Sequence, residues 1–102
     1  MDSPFNLAEL QQRASLASSL LKSMSNESRL LILCILLGAE RTGAGELAAA
    51  VGLSPSATSQ HLSRMREEGL VDSERVGTSV LYSIKNPAVE RVIGVLKDIY
   101  CS

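Results

Sequence analysis

The residues with chemistry to offer fall into two groups. From Ser54 to Arg66 the chain reads SPSATSQHLSRMR: short hydroxyls, an amide, an imidazole and two guanidinium groups, with no carboxylate among them. Such side chains pair with base edges and phosphates of duplex DNA. The second group is the two cysteines, Cys34 and Cys101. They are too few for a secreted disulfide framework, and in a reducing compartment free thiols are expected. One His and two widely separated Cys make no zinc-ligand cluster, so neither a metal nor a cofactor is expected. His61 has no Ser, Cys or carboxylate pattern that would make it a base, and there is no Gly-rich phosphate loop, so an enzyme is not expected.

Composition narrows how DNA could be bound. With 10 Lys+Arg against 11 Asp+Glu the formal net charge is −1, which excludes a polycationic coat. Binding must come from a local arrangement of donors. Phe5, Tyr82 and Tyr100 are the only aromatics, which argues against a platform for stacking single-stranded bases. At 102 residues and 45% apolar, the chain suits one compact domain, and two cores would be crowded into it. The longest apolar run, Leu30 to Leu37, is less than half of the roughly 20 residues a membrane helix needs. The N-terminus, MDSPFNLAEL, does not read as a signal peptide. A soluble, cytoplasmic protein with no membrane partner is expected.

The elements that must position these residues follow from periodicity. Leu7, Leu10, Ala14, Ala17, Leu21 and Met24 recur at spacings of three and four, which predicts a helix over 7–24 capped by Asn6. Ser25-Asn26 supplies the next cap, and RLLILCILL follows as a central helix ending at Gly38. Glu40 to Gly45 reads as a loop, and 45–51 as a short helix stopped by Gly52. Ser54 caps a helix over 55–68 with Pro55 at its first position. Leu70 to Ile84 suits two strands joined at Val76-Gly77-Thr78, and Asn86-Pro87 opens a last helix carrying Val89, Ile93, Leu96 and Tyr100 on a stripe. The sum is a mainly α chain with a small β-hairpin: five helices plus a wing, a winged helix-turn-helix.

With Thr58, Leu62 and Met65 facing inward, Ser56, Ser59, Gln60, Ser63 and Arg64 fall on the outer face of helix 55–68. Ser54 stands at its N-terminus, where free N–H groups favour phosphate. Two readings stay open on these residues alone: a solvated polar face, or a face that reads DNA. His61 flanks the core stripe and suits either a packed, hydrogen-bonded ring or a phosphate donor. On the wing, Arg75 and Thr78 are the candidate DNA contacts.

Several stretches carry a family resemblance. Met24-Ser25-Asn26-Glu27-Ser28-Arg29-Leu30, Gly45-Glu46-Leu47-Ala48, Ser59-Gln60-His61-Leu62-Ser63-Arg64-Met65-Arg66 and Glu68-Gly69-Leu70-Val71 resemble those of the ArsR/SmtB family of bacterial repressors. The resemblance implies a homodimer held by its first and last helices. It also implies a palindromic double-stranded operator, with helix 55–68 in the major groove. The wing tip, Gly77-Thr78-Ser79, lacks the second basic residue often found in the family.

Many members sense metals, but helix 45–51 has no Cys and residues 86–102 have no His, so neither usual metal site can be built. On residue types alone, Cys34 reads as a small buried hydrophobe and Cys101 as an incidental thiol. RLLILC together with the final Ile-Tyr-Cys is, however, similar to the BigR/HlyU/SqrR-type branch. That resemblance implies a cysteine pair, Cys34 and Cys101, that answers reactive sulfur species or oxidants.

Overall fold

The computed structural model describes residues 6–101; Phe5 and the rest of the first five residues, with Ser102, lie outside the described part. The elements run α1 (Leu7–Met24), α2 (Glu27–Ala39), β1 (Thr42–Gly43), α3 (Ala44–Val51), α4 (Pro55–Glu67), β2 (Val71–Val76), β3 (Ser79–Ile84) and α5 (Pro87–Tyr100). This is the order of a winged helix-turn-helix, mainly helical as expected.

Four helices begin on the caps their sequences announce. Asn6 Oδ1 accepts from the Ala8 and Glu9 N–H groups, Asn26 Oδ1 from Arg29, Ser54 Oγ from Ala57 and Asn86 Oδ1 from Ala88. Each satisfies a donor that the first turn would otherwise leave open, and is worth about 1 kcal/mol. Pro55 and Pro87 occupy first positions, where the missing N–H is no loss. Gly52 closes α3 at a left-handed φ of 72°, which costs glycine nothing.

Two expectations need correction. Helix α2 does not end at Gly38; it runs through Ala39, and Glu40 takes a positive φ of 51° as its C-cap. The predicted loop from Glu40 to Gly45 contains strand β1, and α3 begins at Ala44. Thr42 pairs with Tyr82 and Gly43 with Leu81, so the sheet has three antiparallel strands in the order β1-β3-β2. Pairing across nearly forty residues leaves no local pattern for a sequence to display. It covers an edge of β3 that a bare hairpin would leave open.

The hairpin runs in register from Val71↔Ile84 to Val76↔Ser79, around a two-residue turn in which Gly77 has φ 64°. Its root is buried at Leu70 and Val71, while its tip is exposed. The core is assembled from Met24, Ile32, Leu33 and Leu36, Leu47, Leu62 and Met65, and Val89 and Ile93 of the helices.

Helix α1 stands apart. Of its expected stripe only Met24 is buried; Leu7 is 70% exposed, Leu10 45% and Leu21 56%. The radius of gyration is 15.8 Å, above the about 13 Å of a compact chain of this length. On α5, Val89 and Ile93 are buried and Leu96 half-buried, but Tyr100, expected on the same stripe, is exposed together with Val95 and Ile99.

Candidate nucleic-acid interface

Helix α4 is divided along its length. Thr58, Leu62 and Met65 are fully buried, and Thr58 Oγ1 donates to the Ser54 carbonyl at 3.0 Å, so its hydroxyl is satisfied within the helix. The opposite face presents Ser56, Ser59, Gln60, Ser63 and Arg64, all exposed, as predicted from the spacing. Ser54 is exposed too, but its Oγ accepts the Ala57 N–H at 3.1 Å and lies 3.4 Å from Ser56 Oγ. It is a cap first, with one lone pair already committed to the helix.

Arg75 on β2 and Thr78 at the turn are exposed at the wing tip. The wing is braced against its surroundings by two side-chain bonds. Arg66 Nη1, at the end of α4, donates to Ser73 Oγ at 2.9 Å, and Arg41 Nη1 donates to Glu74 Oε2 at 2.9 Å. The second is an exposed ion pair, worth at most about 1 kcal/mol.

His61 answers its two alternatives in an unexpected way. Its ring is half-buried, and Nδ1 accepts a hydrogen bond from Arg29 Nε at 3.3 Å. It nevertheless lines an open recess on α4 with Ser59, Gln60, Ser63 and Arg64. Sequence reasoning missed Arg29 as a site residue, although a signal was present. At the third position of α2 a capping box carries Glu or Gln, and a cation in the first turn opposes the helix dipole. An arginine there needs a reason from outside the helix.

Cys34 is half-buried and packs against the core from α2. Cys101 is exposed and follows α5, its N–H donating to the Lys97 carbonyl at 2.8 Å. Both are free thiols, and α2 packs against α5. Among the described residues no three His, Cys, Asp or Glu side chains are grouped to hold a metal, and no helix is long and apolar enough to cross a membrane.

A polar helix face beside a braced wing is the arrangement of a DNA-reading protein, and the comparisons with known proteins agree. Residues 26–73 match the pattern of the bacterial regulatory protein, arsR family. The HTH-type transcriptional regulator YgaV of Escherichia coli is 59% identical over 95 residues, 93% of this chain and 96% of that protein. The chain belongs to the ArsR family. It is accordingly a DNA-binding transcriptional regulator and not an enzyme. The reduced form of HlyU from Vibrio cholerae superposes with a TM-score of 0.88 at 39% identity, covering 92% of this chain and 98% of that one. The transcriptional repressor BigR from Xylella fastidiosa superposes at 0.84 with 26% identity, covering 96% and 99%.

Proposed function

We propose that the protein is a cytoplasmic, homodimeric repressor that occupies a palindromic operator and releases it when Cys34 and Cys101 become bridged. The observation that carries the DNA reading is the division of α4, whose buried stripe leaves hydroxyls, Gln60 and Arg64 facing outward beside the wing. In the major groove Ser59 and Gln60 meet base edges, and Ser54, Ser56, Ser63, His61 and Arg64 meet base edges or phosphate oxygens. Arg75 and Thr78 contact the backbone from the wing. Dimerisation is supported by the exposed apolar side chains of α1 and α5, and two α4 helices about 34–36 Å apart would suit half-sites one turn apart.

Support for the switch is the pair of free thiols, one at the core and one at the end of a helix that packs on it. One thiolate attacks an organic persulfide, taking its outer sulfur and releasing a thiolate. The second thiolate attacks the inner sulfur of that protein persulfide and expels hydrosulfide, leaving a disulfide. Tying the end of α5 to α2 would change how the two protomers are set.

Operator binding of the reduced protein to its own promoter region, repeated after persulfide treatment, tests both parts. Gln60→Ala should weaken the reduced complex by about 1–3 kcal/mol without unfolding the protein. The Cys34→Ser, Cys101→Ser double variant should bind as the wild type does and stay bound on treatment. If it releases DNA, the pair is not the sensor. If the wild type binds the promoter no better than random DNA, the operator reading is wrong.

A further inference from the structure

We propose that Arg29 is a positioning residue for DNA recognition, holding His61 in the one tautomer that can donate to a phosphate. The inference rests on the reading of α4 as the face that meets DNA. The Arg29 guanidinium makes two bonds in different directions. Nη1 donates to the Ser23 carbonyl at 2.8 Å, and Nε donates to His61 Nδ1 at 3.3 Å. Ser23 lies in the last turn of α1, where carbonyls have no partner within the helix. One side chain rooted at the start of α2 therefore joins the end of α1 to the reading helix.

The chemistry of the donor decides the state of the ring. An arginine in a protein is always protonated and offers only N–H groups, so the histidine nitrogen facing it must offer a lone pair. Nδ1 is then unprotonated, and the single proton of the neutral imidazole is on Nε2. Among the described residues no other group takes that proton. Phosphate oxygens are acceptors, so a ring presenting Nε2–H attracts a DNA backbone, whereas the other tautomer presents a lone pair and repels it. Arg29, which lines the same recess, thus favours the tautomer in which His61 presents a donor to DNA. Lysine keeps the charge but lacks the planar fork whose Nε and Nη1 serve His61 and the Ser23 carbonyl from separate nitrogens.

His61 is the only histidine in the chain, so its ring signals in a nitrogen-15 NMR spectrum need no assignment by mutation. In the neutral ring the wild type should show Nε2 protonated and Nδ1 as an acceptor. Arg29→Ala and Arg29→Lys should both give a mixture of tautomers; if Arg29→Ala fails to fold, Arg29→Lys carries the same readouts. On promoter DNA, His61→Ala should weaken binding about tenfold, the size of one hydrogen bond to a charged group, and Arg29→Lys should weaken it less, about twofold for an even mixture of tautomers. The double variant should be no weaker than His61→Ala alone, because Arg29 acts only through the His61 contact. An unchanged tautomer in the Arg29 variants, or losses that multiply in the double variant, would overturn the proposal. A wild type that does not prefer its promoter overturns the DNA-binding premise instead, and the NMR result then still decides whether Arg29 sets the ring.

Discussion

Helices α1 and α4 have opposite relations to the protomer that carries them. Helix α4 buries Thr58, Leu62 and Met65 completely and turns its polar side to solvent. Helix α1 is longer, 18 residues against 13, yet it buries only Met24 and leaves Leu7, Leu10, Leu16 and Leu21 in water. Helix α4 is placed by its own chain. Helix α1 carries an apolar face for which the protomer has no use, and a fully buried Leu is worth about 1.5–3 kcal/mol. Exposure therefore differs in kind on the two: on α4 it is polar, and on α1 it is the apolar face on which the proposed dimer rests.

The contrast can be broken most forcefully at the core. Leu62→Ala should lower stability by about 2–5 kcal/mol in denaturant unfolding, because it opens a cavity beneath α4. Next in size is the opposite experiment on α1. Leu10→Asp with Leu21→Asp should leave the protomer core folded but abolish self-association, removing about 1.5–3 kcal/mol of burial at each site. Sedimentation at micromolar concentration should show a dimer for the wild type and a monomer for the variant; a dimeric variant would free this face of any role in assembly. The midpoint of unfolding should depend on protein concentration only in the wild type.

A finer comparison uses the caps. Ser54→Ala should cost about 1 kcal/mol in global stability, since α4 cannot fray without opening the core. Asn6→Ala removes the same kind of bond from α1 and should move the global midpoint less, because the first turn of that helix, with Leu7 exposed, can fray without opening the core. Amide hydrogen exchange of the two first turns would separate the cases. The smallest effect is expected at Thr42, whose Oγ1 is buried without a hydrogen-bond partner among the described residues. Thr42→Val should raise the melting temperature, gaining at most about 1 kcal/mol from removing an unpaired polar atom.

How much of this the sequence displays depends on the distance over which each signal acts. Caps and periodic stripes are local, and Asn6, Asn26, Ser54, Asn86 and the Thr58–Leu62–Met65 stripe are all legible in order. Strand β1 is not, because two residues, Thr42 and Gly43, become a strand only through Tyr82 and Leu81. Tyr100 fits the periodicity of α5 but projects beyond the protomer core, since a spacing rule counts turns and knows nothing of where the packing partner stops. The outward face of α4 is readable from its inward one. The bonds from Arg29 to Ser23 and His61, and from Arg66 to Ser73, join segments that no spacing relates; only the misplaced charge of Arg29 at a helix start hints at the first.

Strand β3 is bonded on both flanks, to β1 and to β2, and Arg66 and Arg41 brace the wing from two further sides. The base of the wing is therefore joined to α4 and to β1, while most of α1 stands outside that unit. In the proposed dimer, a bridge made at the end of α5 would swing two such units relative to each other and leave each one's shape alone. On the proposed palindromic operator, base preference inside a half-site would then belong to the single chain, and tolerance for the gap between half-sites to the pair.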